Sequence, residues 1–154
     1  MELPKLHFPE YKFKLRSGTS GGQSLKIFDI VRGKYVQLTP EEWVRQHILH
    51  FLIYDRRFPR SLTAVEKRVV VNRLERRYDV LVHGPDLKPL ILVECKAPDV
   101  QITQDVFDQA ARYNLSIDAR FFILSNGMET FCCTLNHEAQ TYSFQEEVPF
   151  YENL

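Results

Sequence analysis

The chain has 154 residues, 44% hydrophobic and 26% charged, and its formal net charge at pH 7 is zero. These values are typical of one soluble globular domain, and they exclude a chain-wide field that would draw the protein onto nucleic acid. No apolar run could span a membrane and the N-terminus lacks a signal-peptide core, so we expect a cytoplasmic protein. Cys95, Cys132 and Cys133 have neither a disulfide nor a zinc spacing, and we expect them to be buried.

The first 25 residues mix proline, lysine and aromatic residues and then pass through the glycine- and serine-rich stretch 17–24. This is linker chemistry, so we predict a flexible arm over residues 1–25 and one folded domain over residues 26–154. Residues 26–31 and 34–38, separated by an Arg-Gly pair, predict a small hairpin at the start of that domain.

A helix is predicted from Thr39 to about Tyr54. Thr39 is a good N-cap, Pro40 suits the first helical position, and Glu42 completes a capping box. The predicted apolar face consists of Val44, Ile48, Phe51 and Leu52, with Trp43, His47 and His50 along its flank.

Two basic segments come after this helix. Residues 55–60 form a loop with an aromatic residue, and Arg56 and Arg57 are candidates for phosphate-backbone contacts, although a solvated loop is the commoner case. After a predicted strand over 62–71, residues 72–77 predict a turn with three arginines, of which Arg77 is a further candidate contact.

Residues 77–96 predict a β-hairpin with charges at one end of its strands. If Gly84 lies opposite Pro89, then Asp79 lies directly across from Glu94. Glu94 and Lys96 share one face of the second strand, since side chains alternate.

Two carboxylates and an ammonium converging at the end of a buried strand are costly unless they are paired or hold a cation. Mg²⁺ is bound by one or two carboxylates with water and phosphate, so this pattern favours metal-assisted phosphodiester hydrolysis. The alternative is a strand that simply leaves the core with its charges solvated, and the two strands alone do not decide between them.

The remaining pattern predicts a helix from Thr103 to Asn114, a strand over 119–124 and two further strands over 130–135 and 141–144. The acidic and aromatic tail, 146–154, could pack on the sheet or contact a partner. We therefore predict a mixed α/β (α+β) domain, with a mixed central sheet flanked by helices and an αβββαβ order.

Asp79, followed after a hairpin by Glu94-Cys-Lys-Ala-Pro, resembles the signature of the PD-(D/E)XK nuclease superfamily. More narrowly, ECKAP and the later Gln-Ala-Ala-Arg-Tyr, residues 109–113, are similar to the N-terminal nuclease domain of type I restriction enzyme R subunits, over about residues 39–127. Tyr78 departs from the pattern, in which a proline precedes the aspartate.

The resemblance implies a restriction-endonuclease-like core and a DNA substrate. It implies that Asp79 and Glu94 hold Mg²⁺ or Mn²⁺ together with the Cys95 carbonyl, and that Lys96 activates water. Gln109 and Tyr113 would position the lysine or the DNA. Glu42 matches an acidic residue that often lies near the metal, although its capping role explains it fully.

Type I R subunits continue into an ATP-driven motor, and these 154 residues lack a phosphate-binding loop. We therefore expect either a separate motor or modification subunit as partner, or a solitary relative. A non-catalytic module that binds nucleic acid or protein and keeps the nuclease fold is the alternative.

Overall fold

The computed structural model describes residues 2–18 and 24–154. The helices are α1 (Pro40–His50), continued by a π-helical turn over Phe51–Asp55, and α2 (Gln104–Asn114). The strands are β1 (Leu15–Ser17), β2 (Leu25–Asp29), β3 (Lys34–Gln37), β4 (Thr63–Val71), β5 (Leu74–His83), β6 (Pro89–Cys95), β7 (Phe121–Ser125), β8 (Thr130–Asn136) and β9 (Thr141–Gln145).

The six strands β4 to β9 form one mixed sheet in sequence order, and β1, β2 and β3 form a small antiparallel sheet. All neighbours in the large sheet are antiparallel except β6 and β7, which are parallel and joined through α2. A parallel pair needs such a crossover, because its strands cannot be joined by a tight turn. The predicted mixed α/β architecture and its αβββαβ order are confirmed.

The large sheet is covered on both faces. Buried side chains of α1, including Val44 and Ile48, pack in one core with Val80 and Val93 of the sheet. On the opposite face, Phe107 of α2 packs in a second core. The apolar residues of β7 are buried throughout, as expected for a central strand covered on both sides. Cys95, Cys132 and Cys133 are free and buried, as predicted.

Helix α1 begins where its sequence predicts. The Thr39 side chain accepts a hydrogen bond of 3.1 Å from the Glu42 backbone N–H, which satisfies one of the free donors of the first turn. The α-helical bonding ends at His50, and the helical stretch reaches Asp55 through the π-helical turn. Such a turn inserts a residue into the helix and rotates the residues after it about the helix axis.

The described part of the predicted N-terminal arm is packed on the domain. Leu6 is buried, the Trp43 indole donates to the Pro4 carbonyl at 2.8 Å, and the Phe13 ring centroid lies 4.9 Å from that of Trp43. β1 pairs with β2. These contacts form because aromatic side chains of the segment cover the flank of α1. Much of the predicted linker, residues 19–23, lies outside the described residues.

The six-residue turn predicted over 72–77 is wrong. The chain turns at Asn72 and Arg73 alone, which have φ of 50° and 64°, and Arg76 and Arg77 lie on β5. A two-residue turn with both φ positive matches the twist of the flanking strands, so the hairpin can pair up to the turn itself.

The next hairpin differs from its predicted register only near its loop. His83, and not Gly84, pairs with Pro89, because the register shifts between Val82 and His83. Below that irregularity Val80 pairs with Val93, which is the alignment predicted to bring Asp79 across from Glu94.

The C-terminal tail packs on the loop after the π-helical turn. Val148 is buried, and the Tyr151 backbone N–H donates to the Arg56 carbonyl at 2.9 Å. Neither helix, over the residues that the structure describes, has the length and apolarity required to cross a bilayer.

Candidate active site

Asp79 and Glu94 lie next in line beyond the Val80–Val93 pair of β5 and β6. The Asp79 Oδ2 atom accepts a hydrogen bond of 2.8 Å from the backbone N–H of Cys95, which fixes the carboxylate against the end of β6. Lys96 comes directly after this strand, and its Nζ atom lies 3.9 Å from Glu94 Oε2. The structure therefore brings the two predicted carboxylates and the lysine together at the C-terminal end of β6.

Near Asp79, strands β4 and β5 depart from the regular alternation of side chains between the two faces of the sheet. Val80 packs in the core under α1, whereas Tyr78 packs in the core under α2. Residues two apart in a regular strand face the same side, so the backbone between them is irregular. On β4, Glu66 has a φ of 54°, which is costly for a residue with a side chain. This irregularity lets Glu66 and Asp79 reach Arg45 of α1.

Arg45 links three carboxylates. Its guanidinium nitrogens lie 3.2 Å from Glu42, 3.3 Å from Glu66 and 3.9 Å from Asp79. Its side chain is only 8% exposed, so its charge acts in an environment that water screens weakly. Arg45 thus lies between the predicted acidic pair and the start of α1.

Glu42 is held by protein cations on both oxygens. Arg32, from the turn between β2 and β3, lies 2.9 Å from Oε1, and Arg45 lies 3.2 Å from Oε2. Gln46 also donates to Oε2 at 3.1 Å. These partners make Glu42 an anchor for Arg45. Among the described residues its side chain makes no hydrogen bond back to the Thr39 N–H, so only the Thr39 half of the predicted capping box forms.

Burial raises the pKa of both Asp79 and Glu94 above their usual range. For Asp79, the Cys95 N–H and the charge of Arg45 partly oppose the rise. For Glu94, Lys96 opposes the rise and the negative charge of Asp79 adds to it. Arg45 and Lys96 thus compensate the negative charges of the two carboxylates only in part.

The donor set fits a hard dication. Among the described residues, 2–18 and 24–154, no group of three or more His, Cys, Asp or Glu side chains could hold a metal ion. One or two carboxylates are what Mg²⁺ commonly takes from a protein, with water and substrate phosphate as its other ligands. These carboxylates remain 25% and 34% exposed, which leaves them accessible to a substrate.

Cys95 could contribute only its backbone carbonyl. Its side chain is buried in the core under α1, and burial raises the pKa of the thiol well above its usual range. A protonated thiol in that position is neither a nucleophile nor a metal ligand.

Gln109 and Tyr113 are both exposed on α2. The Arg76 guanidinium stacks 3.8 Å from the Tyr113 ring centroid, and it donates to the Tyr113 carbonyl at 2.6 Å. Because Arg76 lies on β5 three residues before Asp79, this stacking joins α2 to the strand that carries Asp79. Burial raises the pKa of the Tyr78 hydroxyl, Arg76 opposes the rise, and the nearby Glu94 adds to it.

The candidate phosphate contacts have different surroundings. Arg56 donates to the Val148 carbonyl at 2.8 Å and its guanidinium lies 4.2 Å from the centre of the Phe150 ring, so it holds the C-terminal tail. Arg57 is exposed in the loop. Arg77 is 58% exposed and lies 2.8 Å from Glu66, at the edge of the site.

Sequence reasoning did not identify Arg32 and Arg45 as members of the site. The spacing of Glu42 and Arg45 on one helical turn was visible, but no local pattern connects Arg32 with either of them. A cleft of about 490 Å³ lies elsewhere, between the N-terminal segment and the end of α1. None of Asp79, Glu94 and Lys96 lines it.

The order α1–β4–β5–β6–α2–β7, with an acidic residue on each of β5 and β6, is consistent with a nuclease-like α/β domain. The family model of the type I restriction enzyme R protein N terminus (HSDR_N) matches residues 40–149. The chain belongs to this family, which confirms the resemblance that the ECKAP and QAARY segments indicated. No curated protein matches the chain.

Proposed function

We propose that this protein is a metal-dependent nuclease that hydrolyses phosphodiester bonds of DNA. The observation that carries the proposal is the convergence of Asp79, Glu94 and Lys96 at the C-terminal end of β6, with both carboxylate pKa values raised by burial. Neighbouring carboxylates with raised pKa values, beside a lysine and partly open to solvent, are a feature of catalytic sites.

Asp79 and Glu94 would hold Mg²⁺ or Mn²⁺, together with the Cys95 carbonyl. Such a metal lowers the pKa of a bound water and polarises the scissile phosphate. Lys96 would orient the attacking water and stabilise negative charge that develops on phosphate oxygens. Gln109 and Tyr113, on the exposed face of α2, would position Lys96 or the DNA.

Arg45 has a positioning role in this proposal. Its contact with Asp79 is long, at 3.9 Å, while its contacts with Glu42 and Glu66 are shorter. The two glutamates therefore hold the guanidinium in place, and it restrains Asp79 without saturating that carboxylate.

DNA is the proposed substrate because the family takes its name from a restriction enzyme. A separate motor or modification subunit is a proposed partner on the same ground.

The test is cleavage of linear, circular and single-stranded DNA with Mg²⁺ or Mn²⁺. Wild type is compared with Asp79→Ala and Lys96→Ala, and with the matched controls Asp118→Ala and Lys88→Ala, whose side chains are exposed at the opposite end of the sheet. We expect metal-dependent cutting that both site variants abolish and both controls retain. Equal cutting by all five proteins would refute the proposed site.

A non-catalytic binding module with the same fold is the second candidate. The observation in its favour is that Arg45 already supplies a positive charge near Asp79. If wild type cuts no DNA form with either metal, this alternative replaces the nuclease.

A further inference from the structure

The hairpin of β4 and β5 extends beyond the rest of the sheet. β6 ends at Cys95, so the part of β5 from Leu74 to Arg77 pairs only with β4. We call the paired residues 67–78 the ribbon. Asp79 lies at its base, and the turn at Asn72–Arg73 lies roughly 20 Å away at about 3.4 Å per residue.

The ribbon carries a concentrated positive charge. Residues 67–77 include five lysines and arginines but one glutamate, in a chain whose formal net charge is zero. These cationic side chains are Lys67, Arg68, Arg73, Arg76 and Arg77, and all except Arg76 are exposed. Arg76 is turned to α2, where it stacks on Tyr113. The remaining four are available to a partner in solution.

Two of these cations are placed where they weaken the isolated ribbon. Arg68 pairs directly with Arg77 across the strands, and like charges at directly opposite positions repel. Each is partly compensated by a diagonal carboxylate, Glu75 at 3.3 Å and Glu66 at 2.8 Å. A polyanion lying over this face would remove the repulsion.

The tip of the ribbon is apolar as well as basic. Val70 and Leu74 are 70% and 61% exposed, on either side of the turn. Isolated exposed aliphatic side chains are ordinary, but two on the tip of a basic two-stranded ribbon match the sugars and base edges of a DNA groove.

We propose that the ribbon lies in a groove of duplex DNA, with Arg68, Arg73 and Arg77 on the phosphates. This placement brings one strand of the DNA to Asp79 and Glu94. A major groove about 12 Å wide admits a two-stranded ribbon. The proposal rests on the proposed function for its choice of DNA. It names the substrate form as duplex, because a single strand offers no groove for a paired ribbon.

The ribbon is also coupled to the site through contacts. Arg77 lies 2.8 Å from Glu66, which lies 3.3 Å from Arg45, and Arg45 lies 3.9 Å from Asp79. Phosphate binding at Arg77 competes with Glu66 for that arginine. The bound duplex therefore acts on the residues that orient Asp79.

The test is fluorescence anisotropy with a labelled duplex of about 30 base pairs, in EDTA so that binding is read without cutting. Arg68→Gln/Arg73→Gln is compared with Lys88→Gln/Arg120→Gln, an exposed pair at the opposite end of the sheet. We expect the ribbon variant to bind about tenfold more weakly, with the slope of log K against log salt reduced by about 2. The control pair should bind within about twofold of wild type.

Circular dichroism melting checks that the variants fold. Arg73→Glu is a second ribbon variant, chosen because the Arg73 side chain lies on the exposed turn. Unchanged duplex affinity in both ribbon variants, tighter binding of a single strand than of the duplex, or no wild-type binding overturns the proposal. Loss of binding in the ribbon variants supports it even if wild type cuts no DNA, so the two proposals fail separately.

Discussion

Replacing Arg45 with methionine should destabilise the protein strongly. The substitution keeps much of the side-chain volume but removes a cation that is 8% exposed and contacts Glu42, Glu66 and Asp79. Removing one partner of a buried ion pair costs about 3–5 kcal/mol, because the opposite charge is left buried without compensation.

The loss should fall at the lower end of that range. Arg32 still lies 2.9 Å from Glu42, and Glu66 is 34% exposed, so it can recover some hydration. We therefore expect about 3 kcal/mol. For a domain of this size each kcal/mol lowers Tm by about 2–4 °C, so Arg45→Met should melt about 6–12 °C below wild type.

The assay is circular dichroism melting in EDTA, with Arg68→Met as the matched control. Arg68 is 68% exposed and its partner Glu75 is 57% exposed. Exposed pairs contribute about 0.2–1 kcal/mol, so the control should melt within about 4 °C of wild type. An Arg45→Met protein that melts as the control does would show that the ion network carries little stability.

Three further predictions concern the carboxylates and the core. Burial raises the pKa of Asp79, so its carboxylate binds a proton at a higher pH in the folded protein than in the unfolded chain. Above the folded-state pKa, the charged carboxylate therefore lowers the free energy of unfolding. In EDTA at pH 8, Asp79→Asn should therefore unfold at a higher urea midpoint than wild type, and the difference between the two midpoints should shrink as the pH falls. A difference that stays constant with pH would contradict the raised pKa. Mg²⁺ at about 100 times its Kd should raise the wild-type Tm by about 5–10 °C and leave Glu94→Gln unchanged, and an equal shift in both proteins excludes the site. Phe122→Ala, at a fully buried position, should cost about 3–5 kcal/mol by urea unfolding, and a smaller loss would mean that the core under α2 collapses around the gap.

The sequence by itself determined the local elements and the alignment of the acidic pair. The Thr39 side chain, which accepts from the Glu42 backbone N–H, marks the start of α1, since capping depends on groups within one turn. The alternation of β6 sets Glu94 and Lys96 on one face. The register that brings Asp79 across from Glu94 is a consequence of apolar residues that must share the core, so a one-residue slip would expose them.

Only the tertiary structure decided which charges meet. Arg32 reaches Glu42 and Glu66 from a turn that lies ten and thirty-four residues away in the sequence, and Arg56 is taken up by a tail more than ninety residues later. Long cationic side chains have several reachable partners, and packing selects among them through distance and burial. The hydrophobic periodicity of a sequence relates only neighbouring residues, so it does not indicate which distant partner an arginine will contact.

In the ribbon, too, the sequence predicts one part of the structure and the assembled sheet decides the rest. The runs of β-branched residues predicted a strand before Asn72, but three nearby arginines suggested a turn over 72–77. In the structure Arg73 lies on a two-residue turn, and Arg76 and Arg77 extend from a paired strand, because charged side chains at a sheet edge can reach solvent while the backbone continues its ladder. How far β4 and β5 extend past β6 depends on where β6 ends, which is a property of the assembled sheet.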